Sequence, residues 1–558
     1  MKNMKKVLAF VIAMIMVLGM TVTAFASGNT EPTGGEGGQT QTTLEKTIKV
    51  NGLAAGDTVK YVQVIKWDAA TGSWAKAPGF ENLDDVVFNE IVGSAQVAGK
   101  ITDASATAVA ALATSMTDGG SVTGTSWEKG NLDPGLYMVQ AVPTTADVIY
   151  NPVFVAIQAN GTGSEVTLPL NYSDNGTAKK SDVTVDKKAK SRETGADWSD
   201  ATTEDVGDII DFKVETTVPA YLESYTNPVF TVHDELSDGL TFAVKEGEGD
   251  AALTDITVKV GTTALTLGTD YTITQKTAKE WTIDFSKAYL QGRTAATVVT
   301  IEYQAKITDY AKNVNPETNT VSIEYSRNPS DADDHGTKED KTKHYTFDID
   351  AGLQGDSEYT TSEIIKVAVD ANGQPILEEK EYSNKEKHHP LAGAKFKLYK
   401  DQQCTQAYTN STITEDTEFE TDDMGRMEIK GLDEGVYYLK ESSPAPGYTL
   451  ITEPVKFEIT AQYKTVPATE TCNSYQELDY YEVKVNGTTT SHYTIDKGTV
   501  TKTSTGSAGD VGTEIVNKQG HSLPSTGGIG TTLFYIIGSI LVIGAGIILV
   551  VRRRMSLQ

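Results

Sequence analysis

The sequence predicts an all-β chain, built as antiparallel sandwiches in a row between an export signal and a C-terminal membrane helix. Runs such as DIIDFKVETTV, NPVFTVHDEL, KEWTIDF and ATVVTIEYQAKI alternate apolar and polar residues, as half-buried strands do. Turn residues are frequent, with 49 Gly and 17 Pro. Helical periodicity is sparse after residue 181, and no fixed short period suggests a solenoid.

The N-terminus predicts export. Lys2, Lys5 and Lys6 precede the apolar run VLAFVIAMIMVLGM and then Ala24-Phe25-Ala26, a pattern expected of a signal peptide over 1–26 cleaved after Ala26. Near the other end, 529–551 is almost uncharged and long enough, at about 1.5 Å per residue, to cross a hydrocarbon core of about 30 Å. Arg552, Arg553 and Arg554 follow in a basic tail over 552–558 that is expected to stay cytoplasmic. Directly before the helix stand Leu523, Pro524, Ser525, Thr526 and Gly527. Motif, helix and basic tail together resemble the cell-wall sorting signal of Gram-positive sortase substrates. The resemblance implies that a sortase cysteine attacks the Thr526 carbonyl, releases Gly527 and passes the acyl group to an amine. The helix would hold the chain in the membrane only until then, and the product would be anchored to the cell wall.

Composition bounds the remainder. Losing 1–26 and 527–558 removes three Lys, three Arg and no acid, taking the formal charge from −28 to about −34. Nucleic acid is thereby excluded as a partner. After a Gly- and Thr-rich leader over 27–42, three segments are expected. Residues 43–180 carry the strand-like VKYVQVIKW and NPVFVAI and an Ala-rich helix over 103–116. The second, 181–348, reads as a sandwich, and the third, 349–520, contains KFKLYK, GVYYLKE, PVKFEIT and GTEIVNK.

PLAGAKFKLY and GVYYLKESSPAPGY in the third segment resemble the Cna B-type domains of Gram-positive surface proteins, the second string matching their E box. The resemblance implies immunoglobulin-like, Cna-type sandwiches and an intramolecular isopeptide bond between Lys366 and Asn517, assisted by Glu441. In the second segment, NPVFTVHDELSDGLTF and TNTVSIEYS resemble the isopeptide-forming domain of fimbrial backbone subunits, which implies Lys187 as nucleophile, Asn319 as acceptor and Asp234 as assisting acid. Strand parity agrees: Val183, Val185 and Lys187 share a face, as do Tyr437, Leu439 and Glu441, so polar groups point where apolar ones do. Burial favours a neutral, nucleophilic amine and a protonated acid that can serve the carbonyl and the departing ammonia.

The first segment departs from this pattern. Its GLYMVQAV echoes the E box with Gln140 at the place of Glu441, so no bond is expected there. Fimbrial shafts also need a lysine at the junction of the first two domains. Here LPLNYSDNGTAKKSD lacks the family's Tyr-Pro-Lys order, and Lys179 and Lys180 are both candidates.

Cys404 and Cys472, both in the third segment of an exported chain, are expected to pair. His388-His389 reads as a turn and Asp331–Asp340 as a solvated loop, since neither has metal-site spacing. No cofactor motif or nucleophile-His-acid arrangement is found, so a surface enzyme is not expected. The expected function is a major pilin subunit, polymerised by a sortase with identical subunits and joined to peptidoglycan, with minor pilins and host ligands as further partners. The alternative is a monomeric wall-anchored adhesin for a host protein or glycan.

Overall fold

The computed structural model describes residues 47–93, 101–145, 147–159, 170–222, 225, 227–242, 256–293, 295–313, 316–328, 331–349, 364–376, 389–423, 425–496, 499–504, 513–520 and 529–555. The signal with Ala26, the leader, the motif Leu523–Gly527 and His388 lie outside the described residues.

In the first segment, Thr58–Asp68 is central to a sheet with Ser73–Lys76, Gly135–Val142, Val153–Ile157 and Thr117–Ser121. A second sheet joins Ser126–Lys129, Ile48–Asn51 and Asn175–Thr177, the segment's first and last long-range partners running parallel. The Ala-rich helix forms over Asp103–Leu112, with Thr102 Oγ1 accepting from Ser105 N at its start. A further helix forms over Asp85–Val92, although Val86, Val87, Ile91 and Val92 are β-branched and lower its helix propensity. Asp84 offsets that loss: its carboxylate accepts from Val86 N at 2.7 Å and caps the first turn.

The second segment is a sandwich of two six-stranded sheets. One runs Val185–Ser191, Ile209–Val218, Thr297–Ile307, Thr257–Val260 and Thr263–Ala264, with Leu240–Phe242 also on Thr297–Ile307. The other runs Ala201–Thr203, Asp331–Tyr345, Glu317–Asn328, Phe230–Leu236, Glu280–Phe285 and Tyr271–Thr277. Strict alternation of burial along Ile209–Val218 and Val185–Ser191 sends Phe212, Val214 and Val185 into one core with Phe230, Trp281 and Tyr325. The acidic stretch 331–340 is not a loop but part of the strand Asp331–Tyr345, antiparallel to Glu317–Asn328. Sheet context overrides its polarity: Gly336 lies against the Tyr325 ring, and Asp340 turns inward to accept from Lys187 N at 2.8 Å.

The third segment stacks a seven-stranded antiparallel sheet, Lys395–Tyr399 and Gly435–Ser443 near one end, with a parallel pair, Ile364–Val369 and Thr513–Lys518. Phe347–Ile349 pairs with Ile429–Leu432, so the third fold starts slightly before the expected boundary at 349. The C-terminal helix spans Ile529–Met555, continuing through the arginines, and Leu533–Met555 is long and apolar enough to cross a membrane.

The second and third segments are joined by main-chain contacts. Val206 N donates to Gly431 O, and Glu339 N donates to Thr471 O at 2.7 Å. Cys472 is buried here, bridged to Glu339, whereas Cys404 sits half-exposed in the turn after Lys395–Tyr399. Both are free, so the expected pairing does not form: the fold commits one cysteine to the seam and the other to a turn.

Carboxyls gather at the same seam. Glu204 is fully buried with Ser191 Oγ donating to it at 3.0 Å, and Asp433 N donates to Asp205 Oδ1 at 2.7 Å. Burial first, then the neighbouring acids, pushes Glu204 up to about 8 and Asp208 up to about 6. Asp433 is pushed up to about 7 by burial, with Asp205 and Glu434 adding to it. Carboxyls raised in the folded state stabilise it most below their unfolded pKa of about 4, and that contribution is lost as pH rises through their folded values.

Two outcomes follow from this seam. Apparent Tm, read by calorimetry, should carry a falling contribution from these groups between about pH 4 and about pH 8, and Glu204→Gln should flatten the fall by about 2–4 °C per kcal/mol of burial cost removed. An equal slope in the variant would show that Glu204 is not the titrating group. Alkylation of the native protein should add one label, at Cys404, and of the denatured protein two, without reductant; a chain labelled only after reduction would instead contain the disulfide.

Candidate functional site

The alternation of Val185–Ser191 turns Lys187 inward and Lys188 outward, where it pairs with Asp200. Lys187, Asp234 and Asn319 are all fully buried. They come from both sheets: Lys187 from Val185–Ser191, and Asp234 and Asn319 from the neighbouring strands Phe230–Leu236 and Glu317–Asn328 of the facing sheet. Lys187 Nζ lies 2.5 Å from Asp234 Oδ2 and 5.3 Å from the centroid of Phe212. Burial pulls the Lys187 pKa down and pushes that of Asp234 up, each against the pull of the other's charge, so desolvation favours the neutral amine and acid. His344, fully buried nearby between Thr202 and Thr342, is pushed down to about 3 by burial and then by Lys187, and stays neutral.

The sequence reading missed Tyr303. Its hydroxyl donates to Asp234 Oδ2 at 2.6 Å and accepts from Asn319 Nδ2 at 2.8 Å and from Lys187 Nζ. The signal available was parity: Val299, Ile301 and Tyr303 share the inward face of Thr297–Ile307, so a hydroxyl on that face needs polar company.

In the third segment, the parallel register sets Lys366 opposite Ile515 and Ala368 opposite Asn517, while Glu441 comes from Gly435–Ser443 in the facing sheet. All three are buried. Lys366 Nζ lies 3.2 Å from Glu441 Oε1, and Asn517 Nδ2 lies 3.1 Å from Glu441 Oε2, so one carboxyl spans both partners. Ile451 N also donates to Glu441 Oε2 at 2.7 Å, and Asn517 Nδ2 to Thr449 O at 2.8 Å. Burial holds Lys366 down to about 8 despite Glu441. Gly425, with φ of +73°, carries the chain past this strand so closely that a Cβ would fall 2.3 Å from Lys366 O. The arrangement can perform one reaction: attack of a neutral amine on a carboxamide beside an acid, releasing ammonia.

No lysine is buried among the described residues of the first segment. Gln140 is buried and donates to Ala141 O and Tyr150 O at 2.9 and 3.0 Å, a structural role. Lys179 and Lys180 are both exposed. Lys180 opens the strand Lys180–Asp182 opposite Tyr150 and pairs with Asp182 at 3.2 Å, while Lys179 O accepts from Asn151 N.

Residues 381–472 match the SpaA family, a prealbumin-like fold domain, and residues 515–556 match the LPXTG cell wall anchor motif. The chain is 27% identical over 470 residues to the trypsin-resistant surface T6 protein of Streptococcus pyogenes serotype M6, covering 75% of this chain and 79% of that protein. Its fold is similar to the T6 backbone pilin of serotype M6 Streptococcus pyogenes, with a TM-score of 0.52 at 17% identity, covering 85% of this chain and 98% of the other. The full-length major pilin SpaD of Corynebacterium diphtheriae gives a TM-score of 0.44 at 16% identity, over 86% of this chain and 98% of that one. The chain is therefore an LPXTG-anchored cell-surface protein, held in the membrane before sorting, with a prealbumin-like domain and the overall fold of a backbone pilin.

Proposed function

We propose that the chain is the shaft-forming major subunit of a surface fibre, each domain after the first locked by one internal amide bond: Lys187 to Asn319, and Lys366 to Asn517. The observation that carries this reading is the repetition of a buried amine, carboxyl and carboxamide in two successive domains of one anchored chain. A single buried ion pair is weakly stabilising at best, because desolvation offsets its attraction. Two such sites, each with a carboxamide in reach, make sense as reactants. A sortase then joins Thr526 of one subunit to Lys179 or Lys180 of the next, and the last subunit to peptidoglycan.

Closing loops of about 130 to 150 residues restricts the unfolded chain by about 5 kcal/mol each in the loop-entropy picture. The chain's own chemistry is spent once, in making these bonds, and its work afterwards is structural.

Intact mass of the mature protein tests the internal bonds. Each bond releases one ammonia, so the deficit should be about 34 Da in all, and Glu441→Ala should return about 17 Da of it. An unshifted mass contradicts both bonds. Wall extracts boiled in detergent should give a high-mass ladder, and of the separate variants Lys179→Arg and Lys180→Arg one should lose it and the other keep it. A single band would support the monomeric adhesin instead.

A further inference from the structure

The two sites are built differently, and the difference points to a fourth reacting group in one of them. In the third segment, Glu441 touches both the amine and the carboxamide nitrogen, at 3.2 and 3.1 Å. In the second, the acid is an aspartate, one methylene shorter. Asp234 reaches Lys187 at 2.5 Å, but the group that meets Asn319 Nδ2 is the Tyr303 hydroxyl, at 2.8 Å. That hydroxyl in turn donates to Asp234 at 2.6 Å. Beside Lys366 the ring is Phe396, 5.5 Å from Nζ, which lies opposite Glu441 on the acid's sheet rather than on the lysine's and has no hydroxyl. A long acid beside a phenylalanine in one domain is matched by a short acid beside a tyrosine in the other.

We propose that Tyr303 is a catalytic residue of the second-domain bond, the relay that carries a proton from Asp234 to the departing nitrogen of Asn319. This rests on the bond proposed above. Lys187 Nζ attacks Asn319 Cγ, and the Nζ–Cγ bond forms as Cγ–Nδ2 breaks. The proton that Nζ sheds goes to Asp234. Asp234 passes one proton to the Tyr303 oxygen while the hydroxyl gives its own to Nδ2, and ammonia leaves; no oxidant or cofactor enters. The phenol oxygen touches all three reacting groups, and the relay reverses two of these hydrogen bonds: protonated Asp234 donates to the phenol oxygen, and the hydroxyl turns to Nδ2 once that nitrogen gains a lone pair in the tetrahedral intermediate. Burial, and then the charge of Asp234, holds its pKa well above the usual phenol range, so it begins and ends neutral.

The ring is fixed from several sides. Phe212 stacks on it at 5.3 Å, Trp281 meets it edge-on at 5.3 Å and Phe242 at 6.0 Å. Tyr303→Phe therefore removes the hydroxyl and leaves the packing.

The test uses the full mature chain, with mass and cross-linked proteolytic peptides followed from purification through days of incubation. The third-domain bond serves as an internal control. Wild type should carry both bonds. Tyr303→Phe should retain the third-domain bond and native circular dichroism but form the second-domain bond at least about 100-fold more slowly, the lower bound for a positioned acid–base group. Adding Asp234→Glu to Tyr303→Phe should restore formation, since the longer acid can reach Nδ2 as Glu441 does. If wild type lacks the second-domain bond, the bond itself is refuted. If Tyr303→Phe forms it as fast as wild type, the relay alone is refuted. Should that variant fold poorly, a fluorinated tyrosine at 303, which keeps ring and hydroxyl, decides: a rate insensitive to the lowered phenol pKa overturns the relay.

Discussion

An uncompensated lysine ammonium in a sandwich core would cost several kcal/mol, and the organisation of the last two domains follows from how that cost is avoided. Lys187 and Lys366 each face a carboxyl from the opposite sheet, and desolvation drives the amine toward its neutral, nucleophilic form. The carboxamides of Asn319 and Asn517 complete the contact, with their side-chain oxygens left without a hydrogen-bond partner. A half-satisfied polar cluster is a poor way to stabilise a core. It is a good way to store a reaction, because the proposed bond would replace a buried ionisable amine by a neutral amide.

Position of the two proposed bonds in the fold decides what they would do under load. In the third domain, Lys366 and Asn517 lie on the two strands of the closing parallel pair, so through the proposed bond force entering one would leave by the other. In the second, Asn319 lies on Glu317–Asn328, and Asp331–Tyr345 follows it, outside the closed loop. That last strand is held on its other edge by Ala201–Thr203 and by Thr471–Asn473 of the third domain. The seam between the domains therefore guards the part of the second sheet that the proposed bond would leave uncovered. Its buried acids make that guard weaker as pH rises.

Much of this was legible in the sequence because strands have a period of two. The resemblance singled out Lys187, Asp234, Asn319, Glu441 and Asn517, parity agreed in turning them toward the core, and alternation marked most strands from Val185 to Tyr325. What escaped depended on long-range contacts. Tyr303 is one more aromatic on an apolar strand face until the opposite sheet brings Asp234 and Asn319 to its hydroxyl. Asp331–Asp340 is too polar to read as a strand without Glu317–Asn328 beside it. The cysteines shared a domain by number, but Cys472 is committed to the seam with Glu339. Helix Asp85–Val92 was hidden by β-branched residues and revealed only by the cap at Asp84.

The central claim is that covalent bonds, rather than strand pairing, carry tension through the last two domains. Stretching single mature chains by the termini tests it directly. Extension from the third domain should exclude the span between Lys366 and Asn517, about 150 residues or roughly 540 Å of chain. The second should yield no more than the hairpin beyond Asn319, about 90 Å, in place of its full length. Release of either full length below the force that breaks covalent bonds would contradict the account.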